Sequence, residues 1–308
     1  MSGALLSADQ LGRWYGQVVG LSDLTLSLER GVTGLVGPNG AGKSTFLKLV
    51  AGEIRPSRGT LEVLGLAPFA NAELFRRAGF CPQQEALYED MTGLEVVRFL
   101  MRLHGFSAAE ATRRANEALD RVGLGDARKR RVGGYSKGMR QRAKIAQAIA
   151  HGPELVVADE PFNGLDPVGR AEMTELFAQA GREGMSVLVS THVLHEVEAL
   201  THEIVLFHRG RLLAQGPVGQ VRQLLSRHPR RVELRAREPR RLARALVELD
   251  FVLSVRVGPA DGRIDVETFE LERFFEALTR IAAETRAGVT SLESHDASLE
   301  AVFDYLVA

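Results

Sequence analysis

The sequence contains the run Gly37-Pro38-Asn39-Gly40-Ala41-Gly42-Lys43-Ser44-Thr45. This run satisfies G-x-x-x-x-G-K-[ST], a pattern typical of loops that bind phosphate. A predicted strand, Thr33–Val36, precedes it and a helix-like stretch, Phe46–Ala51, follows it, which is the context that the pattern requires. Its glycines let consecutive backbone N–H groups face phosphate oxygens, and the positive end of the helix dipole attracts the same anion. The run therefore predicts a nucleotide-binding α/β fold.

Two side chains at the end of this phosphate loop (residues 37–45) suit a nucleotide. We expect Lys43 to reach the β- and γ-phosphates and Ser44 to offer its hydroxyl to Mg²⁺. The loop alone leaves a kinase, a GTPase, a motor and a transporter ATPase as alternatives. A GTPase is disfavoured, because the sequence has no N-K-x-D motif of the kind that reads a guanine base.

A second predicted site element is an apolar strand that ends in two acids, Leu155-Val156-Val157-Ala158-Asp159-Glu160. A buried parallel strand is typically apolar throughout, and ligands gather at the carboxyl ends of such strands. We expect Asp159 to help hold the Mg²⁺ shell and Glu160 to orient and deprotonate the attacking water. The plainer alternative is a pair of solvent-facing acids, which the nearby phosphate loop makes the weaker interpretation.

Length and composition favour a soluble protein of about two domains, and two domains of similar size or one large and one small domain fit the length equally well. The chain has 308 residues, of which 45% are hydrophobic and 25% charged, and 39 basic residues balance 39 acidic ones. This balance argues against a protein whose main work is to hold nucleic acid. No uncharged run is long enough to cross a membrane, and no secretion signal is recognisable. The single cysteine, Cys81, is expected to be a packed residue in a reducing, intracellular compartment.

Apolar runs alternate with amphipathic runs along the first two-thirds of the chain, which predicts a layered α/β fold with a largely parallel sheet. The predicted strands are Leu24–Leu28, Thr33–Val36, Leu61–Leu64, Leu155–Ala158, Ser186–Val189 and Ile204–Phe207. Two capping boxes, Thr92 with Glu95 and Ser107 with Glu110, predict the starts of two helices.

A change of composition near Ser226 predicts a first domain over residues 1–226 and a small α+β domain over residues 227–308. Residues 227–244 carry eight Arg against two acids, whereas residues 245–308 carry five Arg against thirteen acids. We expect the Arg-rich part to be solvated or internally paired, with lipid headgroups or acidic partners as the alternative. The pattern that follows predicts a ferredoxin-like module: strand Val232–Arg235, helix Pro239–Leu249, two strands around Gly262, helix Leu271–Thr285, strand Val289–Glu293 and a final helix.

A further motif, Tyr135-Ser136-Lys137-Gly138-Met139-Arg140-Gln141-Arg142, begins 24 residues before Asp159. With it the sequence resembles the ATP-binding cassette (ABC) ATPases, and most of all the export-type subfamily whose membrane subunits are separate chains. The signature of that subfamily often reads Y-S-K-G-M. The resemblance covers roughly residues 4–226, and the run Ser298–Phe303 also resembles the tail common in the subfamily. The other matching motifs are the adenine-stacking Tyr15, the Q-loop Gln83 after Pro82, the D-loop Asn163-Gly164-Leu165-Asp166 and the switch His192.

The signature departs from the common L-S-G-G-Q form of the family. Tyr135, Lys137 and Met139 replace Leu, Gly and Gln, and this leaves the roles of Lys137 and Met139 open. Ser136 and Gly138, which the family uses on the γ-phosphate, are retained. Ser136 is also a good N-cap, and a hydroxyl at a helix N-terminus suits a phosphate equally well.

The resemblance implies a RecA-like core, an antiparallel β subdomain and a helical subdomain, with ATP and Mg²⁺ as cofactors. It implies that the adenine rests on Tyr15 and that Ser44 and Gln83 hold Mg²⁺, with Asp159 behind them. The signature residues 136–138 would contact the nucleotide of a second subunit. Glu160 would be the general base. The γ-phosphate and water would then be organised by His192 and by Asp166 of the second subunit.

The resemblance also implies partners. These are a second nucleotide-binding subunit, most simply another copy, and separate transmembrane permease subunits at the cytoplasmic face of the membrane. The stretch Glu85–Leu103 would touch coupling helices of the permease, an ordinary helical-subdomain core being the alternative. We expect an accessory or dimerisation role for residues 227–308. The predicted function is ATP hydrolysis that powers an exporter through nucleotide-driven dimer closure. Two alternatives are a cassette ATPase acting on nucleic acid or ribosomes and a regulator with little turnover.

Overall fold

The computed structural model describes residues 4–84, 87–221, 229–259 and 262–294. The chain divides into two units, Met1–Val218 and Gly219–Ala308. The predicted boundary at residue 226 lies outside the described residues, and so do the predicted final helix and the run Ser298–Phe303. Every helix in the described parts of the chain is too short or too polar to span a lipid bilayer.

A six-stranded sheet carries the phosphate loop. Its strands are β3 (Val32–Val36), β5 (Ala78–Cys81), β6 (Leu155–Asp159), β7 (Ser186–Thr191), β8 (Glu203–His208) and β9 (Arg211–Pro217). They lie in the order β5-β6-β7-β3-β8-β9. All neighbours pair in parallel except β8 and β9, which form an antiparallel hairpin. β6 and β7 are buried at every position, as expected for parallel strands that are covered on both faces.

A second, antiparallel sheet packs beside this core. It consists of β1 (Leu6–Tyr15), β2 (Val18–Leu28) and β4 (Arg58–Val63) in the order β2-β1-β4. The helix α1 (Lys43–Val50) shares one buried apolar cluster with both sheets. Within that cluster the Phe46 ring of α1 meets the Phe207 ring of β8 at 5.4 Å between centroids. The first turn of α1 is therefore anchored to the core on its apolar side.

Most of the remaining helices of the first unit form a second apolar cluster. The remaining helices of the first unit are α2 (Ala72–Arg77), α3 (Gly93–Leu103), α4 (Ala108–Arg121), α5 (Lys137–Ile149), α6 (Pro167–Arg182) and α7 (Leu194–Glu198). The second cluster holds buried side chains of α3, α4, α5 and α6. This arrangement confirms the antiparallel and helical subdomains that the family resemblance implied around a P-loop core.

The two predicted capping boxes have different outcomes. At Thr92 the box is complete, because its hydroxyl accepts from the Glu95 N–H and the Glu95 carboxylate accepts from the Thr92 N–H. At Ser107 only half of the box forms, with the hydroxyl accepting from the Glu110 N–H. The Glu110 carboxylate instead pairs with Arg113 and Arg114 one turn later. The full box at Ser107 was thus a wrong prediction, because guanidinium groups compete successfully for the carboxylate.

The second unit has the connectivity of a ferredoxin-like module over its described residues. Its elements are β10 (Arg230–Ala236), α8 (Pro239–Leu246), β11 (Val252–Val257), β12 (Arg263–Thr268), α9 (Leu271–Thr285) and β13 (Val289–Ser294). The antiparallel sheet has the order β11-β12-β10-β13, and apolar side chains of α8 and α9 pack on it. Two of the arginines in its Arg-rich front pair internally, Arg231 with Glu267 and Arg235 with Glu233.

Candidate nucleotide-binding site

The phosphate loop leaves the last residue of β3 and enters α1 at Lys43. Gly42 holds a left-handed backbone with φ of 104°, and a Cβ at this position would lie 2.8 Å from the Gly20 carbonyl oxygen. Only glycine combines that conformation with that close approach. No side chain caps α1, so the N–H groups of its first turn are available to an anion.

Lys43 is buried near the end of the loop, and its side chain folds back so that the ammonium contacts the start of the loop. Its Nζ donates to the Gly37 carbonyl at 2.5 Å and to the Pro38 carbonyl at 3.1 Å. It also lies 3.7 Å from the Glu160 Oε1. Burial lowers the pKa of Lys43, while the carboxylates of Glu160 and Asp159 act in the opposite direction. A phosphate oxygen entering the loop would give this ammonium a further anionic partner.

The two acids after β6 are held by a residue that the sequence did not single out. The Ser190 Oγ donates to the Asp159 Oδ1 at 2.6 Å and accepts from the Glu160 N–H at 2.8 Å. Glu160 has a φ of 49°, a left-handed conformation that costs a non-glycine residue about 1–3 kcal/mol. Ser190 stands opposite Asp159 in the register of β6 and β7. Only this pairing, which is remote in sequence, could have revealed its role.

The Glu160 carboxylate lies between two basic groups. Its Oε2 is 3.1 Å from the His192 Nδ1, and its Oε1 faces Lys43. Burial raises the pKa of Glu160, and the opposing effects of Lys43 and His192 are smaller. A carboxylate whose pKa is raised towards neutral pH is a better proton acceptor than an exposed glutamate. The structure thus brings Lys43, Asp159, Glu160 and His192 together at the carboxyl ends of the parallel strands.

The predicted adenine platform lies beside the start of α1. Tyr15 ends β1 and is 43% exposed. A Cβ added at Gly20 would lie 3.0 Å from the Tyr15 Cε2 and 3.1 Å from the Thr45 Cγ2, so ring and helix start are near neighbours. The Arg13 guanidinium carbon sits 4.8 Å from the ring centroid. An exposed ring next to a phosphate loop can stack on a base, a contact worth about 1–3 kcal/mol.

The predicted Mg²⁺ ligands are all oxygen donors. Ser44 follows Lys43 in α1, Asp159 ends β6, and Gln83 lies two residues beyond β5, the neighbour of β6. Hydroxyl, carboxylate and amide oxygens are the hard ligands that Mg²⁺ prefers, so the donor set fits this ion. When bound, Mg²⁺ neutralises charge on the β- and γ-phosphate oxygens. The Gln83 side chain is exposed, while its main-chain carbonyl accepts from Lys144.

The signature residues and the D-loop (residues 163–166) meet at the start of α5. Ser136 is exposed, and its hydroxyl caps α5 by accepting from the Met139 N–H at 3.2 Å. A Cβ added at Gly164 would lie 2.7 Å from the Lys137 side chain, and one added at Gly138 would lie 3.3 Å from the Gly164 carbonyl oxygen. Asp166, at the end of the D-loop, caps α6.

Two departures from the family signature have a packing role. Tyr135 is buried, and its hydroxyl donates to the Ala127 carbonyl at 2.8 Å. Met139 is partly buried and packs on the second apolar cluster. Among the described hydrogen bonds, none joins residues 136–138 to residues 37–45. One chain therefore presents two separate groups of site residues, the phosphate loop with its acids and the exposed start of α5.

We expect Ser190→Ala to lower ATP turnover while ATP binding is retained, since it releases both Asp159 and the strained Glu160 backbone. The loss of two buried hydrogen bonds should reduce the free energy of unfolding by about 1–3 kcal/mol. Ser186→Ala is the matched control, because Ser186 is a buried serine at the other end of β7. Turnover and chemical denaturation of both variants check this. Equal loss of turnover in the two variants would contradict a specific role for Ser190.

Comparison with known proteins assigns the family. A family model described as ABC transporter matches residues 21–163. The chain is 32% identical to the daunorubicin/doxorubicin resistance ATP-binding protein DrrA of Streptomyces peucetius, over 94% of this chain and 88% of that protein. It is 30% identical to the linearmycin resistance ATP-binding protein LnrL of Bacillus subtilis (strain 168), over 97% of each chain.

A solved structure described as the ATP binding subunit of an ABC transporter is similar in both fold and sequence. It superposes with a TM-score of 0.64 and 32% identity, covering 71% of this chain and 92% of that one. The fold, the phosphate loop and these relatives agree. The chain belongs to the ATP-binding subunits of ABC transporters, and it is an ATPase of that family.

Proposed function

We propose that this subunit hydrolyses MgATP with Glu160 as the general base and thereby powers an exporter whose membrane subunits are separate chains. The observation that carries this proposal is the buried arrangement of Glu160 between the Lys43 ammonium and the His192 imidazole, beside an uncapped helix start. Such a site binds phosphate on one side and offers a proton acceptor on the other. The matching family model is described as ABC transporter, and both relatives are named for resistance to a drug, which favours a transporter over an ATPase acting on nucleic acid or ribosomes.

Glu160 is suited to the general-base role for two reasons. Its backbone conformation is strained, and strain of this kind often marks functional residues. Burial also raises the pKa of Glu160, which increases its basicity. The neighbouring His192 contacts the Glu160 carboxylate through its Nδ1, and its ring is half exposed. It can therefore orient both Glu160 and the γ-phosphate. Together these features also argue against a regulator with little turnover.

A second subunit completes the site in this proposal. The exposed Ser136 hydroxyl stands at the start of α5 and combines a helix dipole with a hydrogen-bond donor, a favourable setting for phosphate. Within one chain this group makes no described hydrogen bond to the phosphate loop. A second copy placed head to tail would bring Ser136 and Gly138 to the nucleotide of the first copy. Lys137 and Asp166 would lie at the same interface.

A cleft in the first unit is proposed to dock a short helix of the membrane subunit, which would hold the chain at the membrane surface. The cleft has a volume of about 600 Å³. It is lined by Phe75, Ala78, Gly79, Phe80, Leu87, Tyr88, Val96, Leu100, His104, Gln147, Ala148 and His151. Tyr88 is 56% exposed and meets Phe99 edge to face at 5.9 Å. Exposed aromatic groups around an apolar cleft are typical of a surface that a partner covers.

The predicted coupling stretch Glu85–Leu103 divides between the two interpretations. Val97 is fully buried, and Met91 and Leu94 pack on the second apolar cluster, so these three residues belong to the helical core. Leu87 and Leu100 pack on the same cluster and also line the cleft, so they serve both interpretations. Tyr88 lines the cleft and is exposed, so it is the residue most available to a partner. Glu85 and Ala86 lie outside the described residues.

Glu160→Gln should lower ATP turnover by about 10²–10⁴-fold, because a positioned proton acceptor contributes that much to rate. ATP affinity should be retained, since Lys43 and the loop are unchanged. In the wild type, turnover should fall with decreasing pH at a pH above the usual glutamate value, because burial raises the pKa of Glu160. Glu117→Gln on the exposed surface of α4 is the control. Near-normal turnover in Glu160→Gln would contradict the general-base role.

Tyr88→Arg and Leu87→Arg should abolish co-purification with the membrane subunit, because each places a charge in the apolar cleft. Basal ATP turnover should stay unchanged in Tyr88→Arg, because the Tyr88 side chain is exposed. Val247→Arg, which alters another exposed apolar residue in the second unit, is the control and should still co-purify. Unchanged co-purification of both cleft variants would contradict the docking role of the cleft.

A further inference from the structure

Lys144 is a buried cation outside every motif that the sequence singled out. It lies on α5, eight residues after Ser136, and is 1% exposed. Its Nζ donates to three consecutive carbonyls, those of Pro82 at 2.8 Å, Gln83 at 3.1 Å and Gln84 at 3.4 Å. The three carbonyls belong to the loop that follows β5. A single ammonium thus fixes the main chain on both sides of Gln83.

Packing alone does not explain a lysine at this position. The buried residues beside it in α5, Ala143, Ile145 and Ala146, are apolar, whereas Lys144 carries a charge into the same stretch. A buried ammonium is costly unless hydrogen bonds compensate it. Hydrogen bonds to a charged group are stronger than those between neutral groups, so three carbonyls can offset that cost. The charge is therefore matched to the Gln83 loop.

The ammonium also lies near the catalytic end of the sheet. Burial raises the pKa of the Cys81 thiol to about 12, and the charges of Lys144 and Asp159 act on it with opposite signs. Cys81 stands opposite Ala158 in the register of β5 and β6, one residue before Asp159. Lys144 thus reaches the strand ends from the helical side of the unit.

We propose that Lys144 is a positioning residue that ties Gln83 to α5, so that a displacement of α5 moves the Gln83 main chain. This inference rests on the proposed roles of Gln83 at Mg²⁺ and of Ser136 at the nucleotide of the second subunit. Ser136 and Lys144 are separated by about 12 Å along one continuous helix, at about 1.5 Å per residue. In this proposal a contact between Ser136 and the nucleotide of the second subunit is transmitted through α5 and Lys144 to Gln83, which serves the nucleotide of its own chain.

Lys144→Met tests this inference in the full-length chain, because methionine keeps the apolar stem and removes the three hydrogen bonds. The affinity for ATP without metal should match the wild type. The dissociation constant of Mn²⁺ in the ATP-loaded protein, measured by electron paramagnetic resonance, should rise about 10- to 100-fold. Loss of other groups that orient metal ligands weakens metal binding by a similar factor. Lys129→Met, an exposed lysine before α5, is the control and should bind Mn²⁺ normally.

A cycle with Gln83→Ala separates positioning from a general structural role. Gln83→Ala alone should weaken Mn²⁺ binding, and the Gln83→Ala/Lys144→Met double variant should be no weaker, because Lys144 acts through Gln83. Additive effects, or unchanged Mn²⁺ binding in Lys144→Met, would overturn the inference. Unchanged Mn²⁺ binding in Gln83→Ala would overturn it too, whereas the general-base role is judged separately by Glu160→Gln.

A second substitution keeps the test valid if Lys144→Met lowers the thermal midpoint. Lys144→Gln retains a hydrogen-bond donor without the charge and should give a Mn²⁺ affinity between those of the wild type and Lys144→Met. If Lys144→Gln and Lys144→Met have the same thermal midpoint but their Mn²⁺ affinities do not follow this order, the inference is overturned.

Discussion

The buried ion pair between Lys43 and Glu160 is the interaction on which the rest of the site depends. It joins the phosphate loop, carried by β3 and α1, to the acidic end of β6, and both groups are almost fully removed from solvent. A charge buried in this way is tolerated only when its partners are fixed. Two loop carbonyls fix the lysine, while Ser190 and His192 fix the glutamate and its backbone. A nucleotide phosphate enters a site whose charges are already arranged for it.

The local motifs of the site were predictable from sequence, because each one lies in a short segment with a strong pattern. The phosphate loop could be recognised from its glycines and Lys43, and the apolar run to Glu160 predicted a buried parallel strand. The helix start at Ser136 was equally clear from its capping residue. In each case the backbone geometry and the chemistry come from the same few residues, so no knowledge of distant contacts was needed.

The parts that the sequence did not reveal depend on contacts between distant segments. Ser190 contacts Asp159, 31 positions away, and Lys144 contacts Gln83, 61 positions away. Neither Ser190 nor Lys144 belongs to a recognisable local pattern. Strands β1, β5 and β9 were not predicted either. β5 has only four residues, including a glycine, and β9 lacks a fully buried position. Both are edge strands, which are stabilised by a neighbour that a local pattern does not show. β1 is long and central, but irregularities in its pairing with β2 interrupt the alternation of buried and exposed residues.

The central claim, that each hydrolytic site combines residues of two copies, is tested most directly by mixing two inactive variants. Lys43→Ala removes the phosphate-loop cation, and Ser136→Asp keeps the helix cap while repelling phosphate. In a head-to-tail dimer each site combines the phosphate loop of one chain with Ser136 of the other. A dimer of one Lys43→Ala chain and one Ser136→Asp chain therefore has one site with both defects and one site with neither. Equal mixing of the two variants should therefore restore about a quarter of wild-type turnover. Mixtures as inactive as the separate variants would show that each site lies within one chain and would contradict the claim.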